Sequence, residues 1–291
     1  MSIHPPVRAG VPRKGRPRPN EAIVHAVLED LRHALRMRWI DPSIRSVSAY
    51  PIFFSAAWSA TRPNITRSFA LGAERLRASS LNSASALLAE RDGAHEEGFV
   101  PDDDDRLLRT IQAIHCTSPR VLLVLQSWAV LARRQRLPGT GSEEPPARRG
   151  VPAWQEGVML APRPLSAEAE ALLDDATITL GVAMTPPALQ AAAVHPHHLE
   201  RAWRDLRDIA ARPGWAQATM EIRRVAAEVL RSLPHPMDLQ WDVLGRRGIT
   251  EERRQPLADH LSALAASMPA CLLASSHLAH TLGVGEAPAD W

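Results

Sequence analysis

Residues that build sheets are scarce in this chain. Its 291 residues include one tyrosine and four phenylalanines. No stretch alternates Val or Ile with polar residues, so a sheet has little to build its faces from. Two cysteines, Cys116 and Cys271, are too few for a disulfide framework. No uninterrupted apolar run approaches the length of about 18 residues that a membrane helix needs, so no membrane partner is expected. Charge without a following apolar segment marks the N-terminus, so no secretory leader is expected and the chain reads as cytoplasmic. Lysine occurs once, at Lys14, among 34 Lys and Arg residues, a bias of composition and not of chemistry. The formal net charge is +2, and much of the excess lies in Arg8, Arg13, Lys14, Arg16 and Arg18. Residues 1–20 therefore read as a basic, Pro-rich disordered tail, with an arm for nucleic acid as the minor alternative. The balanced remainder argues against an obligate nucleic-acid binder. No phosphate loop or dinucleotide fingerprint is present, and no cofactor is expected.

Helical periodicity is abundant. In residues 22–35, Ile23, Ala26, Val27, Leu31, Ala34 and Leu35 share one broad face. The same period recurs over 106–114 and 220–233. Four aspartates at 102–105 suit the positive end of a helix dipole. Pro101, Pro119, Pro196 and Pro269 are placed at helix starts, where proline is tolerated. The fold class expected is all-α. The stretch 137–163, rich in Pro, Gly and charge, reads as a linker.

The two sides of that linker resemble each other. At an offset of 145, residues 25–58 match eight of 34 positions without a gap, including Asp30 with Asp175, Pro42 with Pro187, and Trp58 with Trp203. At an offset of 150, Pro119-Arg-Val-Leu-Leu faces Pro269-Ala-Cys-Leu-Leu. The expectation is two tandem helical repeats, 21–136 and 164–291, packed about a pseudo-twofold axis as a symmetric dimer would be. Helix breaks at Asp41-Pro42 and Thr185-Pro186-Pro187 are then equivalent. A pocket between the halves would lie where they meet.

Leu35-Arg36-x-x-Trp39, then Arg45, Pro51 and Ala57-Trp58, resembles the opening of the group I 2-haloacid dehalogenases. Ser166-x-Glu168, Leu172-Leu173 and Gln190 resemble the second half of that family. The resemblance spans roughly residues 22 to 283 and implies an all-helical fold of two repeats, often dimeric. It also implies hydrolysis of small 2-haloalkanoic acids to 2-hydroxy acids without metal or cofactor. An aspartate activates water, which displaces halide directly with inversion, so either enantiomer can react.

Carried over position by position, the resemblance departs from the family at the base. The aspartate of the family falls on Ala188 and the serine before it on Pro187. Its asparagine falls on His115 and a late tyrosine on Leu264. The tryptophan of the first break is kept as Trp39, an aromatic becomes Pro42, and an apolar position becomes Asp41. Trp39, Pro42, Arg45, Pro187, Ala188 and Leu264 are thus the candidate substrate-binding residues. No Asp or Glu lies between Ala176 and Leu199 to replace the lost base. Asp41, with His115 as base or orienter beside it, is the candidate catalytic pair, because imidazole titrates near neutrality.

Simpler readings stand beside these. Asp41 can cap a helix, His115 can be a core histidine, and Arg45 can form a surface ion pair as readily as meet an anion. His195, His197 and His198 diverge at a helix start without a further ligand nearby, so no metal is expected. Cys116 and His115 are helix neighbours that point apart, which favours an inert thiol. The function expected is therefore a dehalogenase-like hydrolase diverged at its base. The alternatives are a non-catalytic binder of a small carboxylate or another activity using Asp41 and His115.

Overall fold

The computed structural model describes residues 19–89, 105–158, 160 and 164–288. The basic tail lies almost wholly outside them, as do Pro101 and the first three aspartates after it. Among the described residues there are eleven α-helices and no strands. In the first half these are α1 (Pro19–Ala34), α2 (Pro42–Val47), α3 (Pro51–Thr61), α4 (Arg67–Ala89) and α5 (Asp105–Ala132). In the second they are α6 (Ala167–Thr179), α7 (Pro187–Ala192), α8 (Pro196–Ala210), α9 (Pro213–Arg231), α10 (Trp241–Arg246) and α11 (Glu251–Thr281).

The two centres of the fold are α5 and α11, which pack along each other. Every residue from Ala113 to Leu125 of α5 and from Ser267 to Ala279 of α11 is buried. A helix apolar on all sides belongs at the centre of a protein. One 18-residue window of α11 has a mean hydropathy of 1.4, enough by length and composition to cross a membrane, yet 83% of it is buried within the protein. The expectation concerned uninterrupted apolar runs, and α11 contains none of that length. Small and hydroxyl residues such as Ser267, Ser275 and Ser276 had broken up its apolar pattern.

The proline reading holds in one place and fails in two. Pro196 is the first residue of α8, but Pro119 and Pro269 lie inside α5 and α11. Hydroxyls serve backbone carbonyls just before both sites. Thr117 and Ser118 donate to the carbonyls of Ala113 and Ile114 at 2.7 Å, and Ser267 donates to Ala263 at 2.7 Å. Each helix nevertheless continues, buried on all sides, through a residue that costs it a backbone hydrogen bond.

Around this pair the local geometry of the first half recurs in the second. α1 ends with Arg36 in the left-handed region (φ 58°), and α6 ends with Gly181 likewise (φ 61°). The closing bonds correspond: Met37 N–H donates to Arg32 O at 2.9 Å, and Val182 N–H to Thr177 O at 3.1 Å. This is the ordinary end of a helix at a left-handed residue. Indole N–H groups then clip α3 to α1 and α8 to α6, Trp58 to Asp30 at 2.9 Å and Trp203 to Asp175 at 2.7 Å.

Residues 137–158 carry little regular structure beyond a short 3-10 turn at Ala153–Gln155, but they are pinned. Leu137 and Met237 exchange backbone bonds at 3.0 and 2.8 Å, Ala147 donates to Ile65, and Gly150 to His33. Gln155 is fully buried and holds the first break by bonds to Arg38 N and Arg36 O. The segment is a strap across the first half. One connected core cluster runs through both halves.

Candidate functional site

The breaks between α1 and α2, and between α6 and α7, face one cavity of about 290 Å³, counted with its open mouth. Asp41, Pro42 and Ser43 line it from the first break; Met184, Thr185 and Pro187 line it from the second. Its remaining wall is α11, through Leu264, Ser267, Met268 and Cys271. Ser267 ties that wall to the second break, because its hydroxyl accepts from Ala183 N–H at 2.7 Å.

Asp41 is the carboxylate of this cavity. It caps α2, accepting from Ser43 N–H at 2.9 Å and from the Ser43 hydroxyl. The residue is 4% exposed. Burial pushes its carboxyl above the ordinary carboxylate range, and the two bonds from Ser43 offset that only in part. Among the described residues no Arg, Lys or His lines the cavity. Cys271 is held as a thiol, pushed up to about 12 by burial and then by the charge of Asp41.

The other expected residues divide. Asp41, Pro42, Pro187 and Leu264 meet at this cavity. Trp39, two residues before Asp41, is partly buried against the core, and its indole N–H is buried without a hydrogen-bond partner. Ala188 is fully buried in α7, the short helix packed on α5, and is not on the cavity wall. Arg45 is exposed on α2.

His115 is not brought to Asp41. It sits in α5 among polar residues of α4 and α11, with Nε2 3.2 Å from Arg77 Nη1 and Nδ1 3.3 Å from Ser276 Oγ. A guanidinium can only donate, so toward Arg77 the imidazole serves as acceptor. Burial, and then the charge of Arg77, push its pKa down to about 3. His115 is therefore a neutral, bonded core histidine at physiological pH. Beside it, burial pushes Cys116 up to about 12.

Among the described residues no cluster of three His, Cys, Asp or Glu could hold a metal. The rings of His195 and His198 lie 5.1 Å apart, tilted against each other. A second pocket, of about 350 Å³ counted with its open mouth, lies between α5, α7, α8 and the end of α11; its lining is almost wholly apolar, with Asp205 and His277 the titratable exceptions.

Ser43, Met184, Thr185, Ser267, Met268 and Cys271 reach the cavity without having been singled out as site residues. The Asp41-Pro42 break was a usable signal for Ser43, and the Thr185-Pro186-Pro187 break for Met184 and Thr185. Nothing in the pattern of α11 distinguishes Met268 and Cys271 from its other buried residues.

An all-helical fold, two facing helix breaks and a small cavity holding one buried carboxylate invite comparison with known proteins. A configuration-inverting 2-haloacid dehalogenase of Pseudomonas sp. (strain 113) is 26% identical over 237 residues, 77% of this chain and 76% of its own. The chain is similar to 2-haloacid dehalogenases. An (R)-2-haloacid dehalogenase of Rhizobium sp. (strain NHG3) is 24% identical over 221 residues, 74% of this chain and 86% of its own. Solved structures of D-2-haloacid dehalogenase share the fold. One in complex with L-LA superposes with a TM-score of 0.73 at 17% identity, over 98% of this chain and 100% of that one. A mutant in complex with D-2-CPA gives 0.72 at 17% identity, over 92% and 95%. No family model matches the chain.

Proposed function

We propose that this protein is a hydrolase of the 2-haloacid dehalogenase kind, in which Asp41 of the first break replaces the carboxylate missing at Ala188 of the second. The observation that carries this reading is the cavity itself: it lies where the two breaks meet, and its carboxylate comes from Asp41. Water held by Asp41 attacks Cα of a short 2-haloalkanoate, and its proton passes to Asp41. The new C–O bond forms as the carbon–halogen bond breaks with inversion, leaving a 2-hydroxy acid and a halide ion. Burial raises the proton affinity of Asp41 above that of an exposed aspartate. Trp39, which the resemblance offers for the substrate, is packed against the core and does not line the cavity. His115 takes no part, because it is bonded elsewhere and too weakly basic.

The recurring helix ends, Trp–Asp clips and short helices support a duplicated unit about a pseudo-twofold axis. A cytoplasmic homodimer completes the proposal, and size-exclusion chromatography with light scattering tests the dimer.

One observation favours a second reading. The bonds Asp41 accepts from Ser43 are those of a helix cap, which suits a non-catalytic protein that binds a small carboxylate. The deciding experiment is halide release from each enantiomer of 2-chloropropionate by wild type, Asp41→Asn and Ala188→Asp. Release by wild type, lost in Asp41→Asn, supports the hydrolase. A silent wild type with an active Ala188→Asp favours the binder. Undiminished release by Asp41→Asn overturns the assignment of the base.

A further inference from the structure

The cavity is unusual in its sulfur. Met268 and Cys271 are three residues apart on α11, which puts both on one helix face, and Met184 reaches the same space from the second break. Met268 Sδ lies 3.9 Å from Ser43 Oγ, whose hydroxyl bonds Asp41. The sulfur wall therefore stands beside the proposed base.

Hydroxyls that line the same space are engaged. Ser43 donates to Asp41, Ser267 donates to Ala263 O at 2.7 Å, and Thr185 Oγ1 pairs with Thr177 Oγ1 at 3.0 Å. Chloride and fluoride, small and strongly hydrated, are best replaced from water by N–H and O–H donors. Bromine and iodine are larger and more polarisable, and gain more from dispersion against soft atoms. With its hydroxyls committed and three sulfur side chains on its walls, this cavity favours the heavier halogens.

Resting on the hydrolase reading, we propose that Met184, Met268 and Cys271 are the halogen-recognising wall of the site, selecting bromo and iodo over chloro acids beyond their intrinsic reactivity. A thiol beside an alkylating substrate risks attacking it. Burial and the neighbouring Asp41 keep Cys271 protonated, and only a thiolate is an effective nucleophile. The wall can thus contact the halogen without being consumed.

The test compares kcat/KM for 2-bromopropionate and 2-chloropropionate in wild type, Met184→Leu and Met268→Leu. Each ratio is divided by that for hydroxide in water. Leucine keeps the volume and removes the sulfur, a change cores tolerate; melting curves check folding, and Met184, on a loop, is informative even if Met268→Leu fails to fold. The normalised bromo-to-chloro ratio should be about tenfold in wild type and fall towards one in the variants, as expected when roughly 1.4 kcal/mol of transition-state stabilisation is lost. A wild-type ratio near one, or one unmoved by leucine, overturns the proposal. If neither acid is turned over, the hydrolase reading fails separately and calorimetric affinities of the same two acids decide. Tighter bromo binding that leucine abolishes upholds the wall, whereas equal affinities or no binding reject it.

Discussion

The two helix breaks have nearly the same backbone and different chemistry. Each follows a left-handed residue, Arg36 or Gly181, and each opens a six-residue helix on a proline, Pro42 or Pro187. In the first, Asp41 caps the helix with its side chain; in the second, Pro186 occupies that place without a side-chain cap. Ser43 faces the cavity in one, and its counterpart Ala188 is sealed in the core of the other. Backbone geometry is held by helix ends and clips that need few specific residues. The polar groups differ between the two breaks while the backbone does not.

The largest effect should come from removing that polarity. Asp41→Asn should lower kcat for halide release by about 10²- to 10⁴-fold, the usual contribution of a general base. Adding Ala188→Asp to that variant tests whether a carboxylate in the second break restores turnover. The same Asp41→Asn change should raise the melting temperature at pH 7. A carboxyl whose pKa is raised by folding contributes most below its unfolded value, and that contribution is lost as pH rises towards the folded value. The gain should therefore vanish below about pH 4, near the unfolded value. An unchanged melting temperature at neutral pH would mean that Asp41 is solvated.

Packing gives the next effect. Phe54 meets Trp128 edge-on at 5.5 Å, both fully buried, whereas its counterpart Leu199 is aliphatic. Phe54→Ala should cost about 4 kcal/mol and Leu199→Ala about 3 kcal/mol by denaturant titration. Smaller is Gly181→Ala, expected at about 1 kcal/mol. No neighbouring atom crowds the new methyl, so the cost isolates the left-handed backbone that Arg36 already tolerates.

The clips are worth as much or less. Burial raises the Asp30 carboxyl, but bonds from Trp58 and Arg62 and the charges of Arg62 and Arg149 outweigh it and hold it low. Asp175 has Trp203 at 2.7 Å and Arg207 only at 3.7 Å. Both carboxylates are over a third exposed, so screening leaves about 1 kcal/mol for Asp30→Asn and about half that for Asp175→Asn. The Asp30 contribution is complete above its unfolded pKa and is lost as pH falls through the lower folded value. Melting curves from pH 7 to pH 3 should show the Asp30→Asn deficit closing.

The all-α class and the helices around residues 22–35, 106–114 and 220–233 were legible because amphipathic spacing repeats over several turns. The breaks were legible as prolines at matching offsets. Pro119 and Pro269 misled because a local helix signal cannot register that burial among distant elements sustains the helix through a proline. The segment reads as a linker from its Pro, Gly and charge, and its anchors, backbone bonds together with the Gln155 side chain, are made to distant parts of the chain. In the cavity, Asp41, Pro42, Pro187 and Leu264 came from the breaks and the resemblance. His115 could not be placed, since its neighbours Arg77 and Ser276 come from distant parts of the chain. The sulfur side chains stayed hidden because a buried methionine reads the same whether it fills a core or faces a cavity.

The pairing of α5 with α11 has a thermodynamic corollary. Each central helix buries its surface largely against elements of the opposite half, and the strap bonds the loop before α10 to the first half through Leu137–Met237. Neither half keeps an enclosed core when the other melts. Heat should therefore unfold the chain in a single cooperative transition, with calorimetric and van't Hoff enthalpies equal, and either half expressed alone should collapse without fixed tertiary structure.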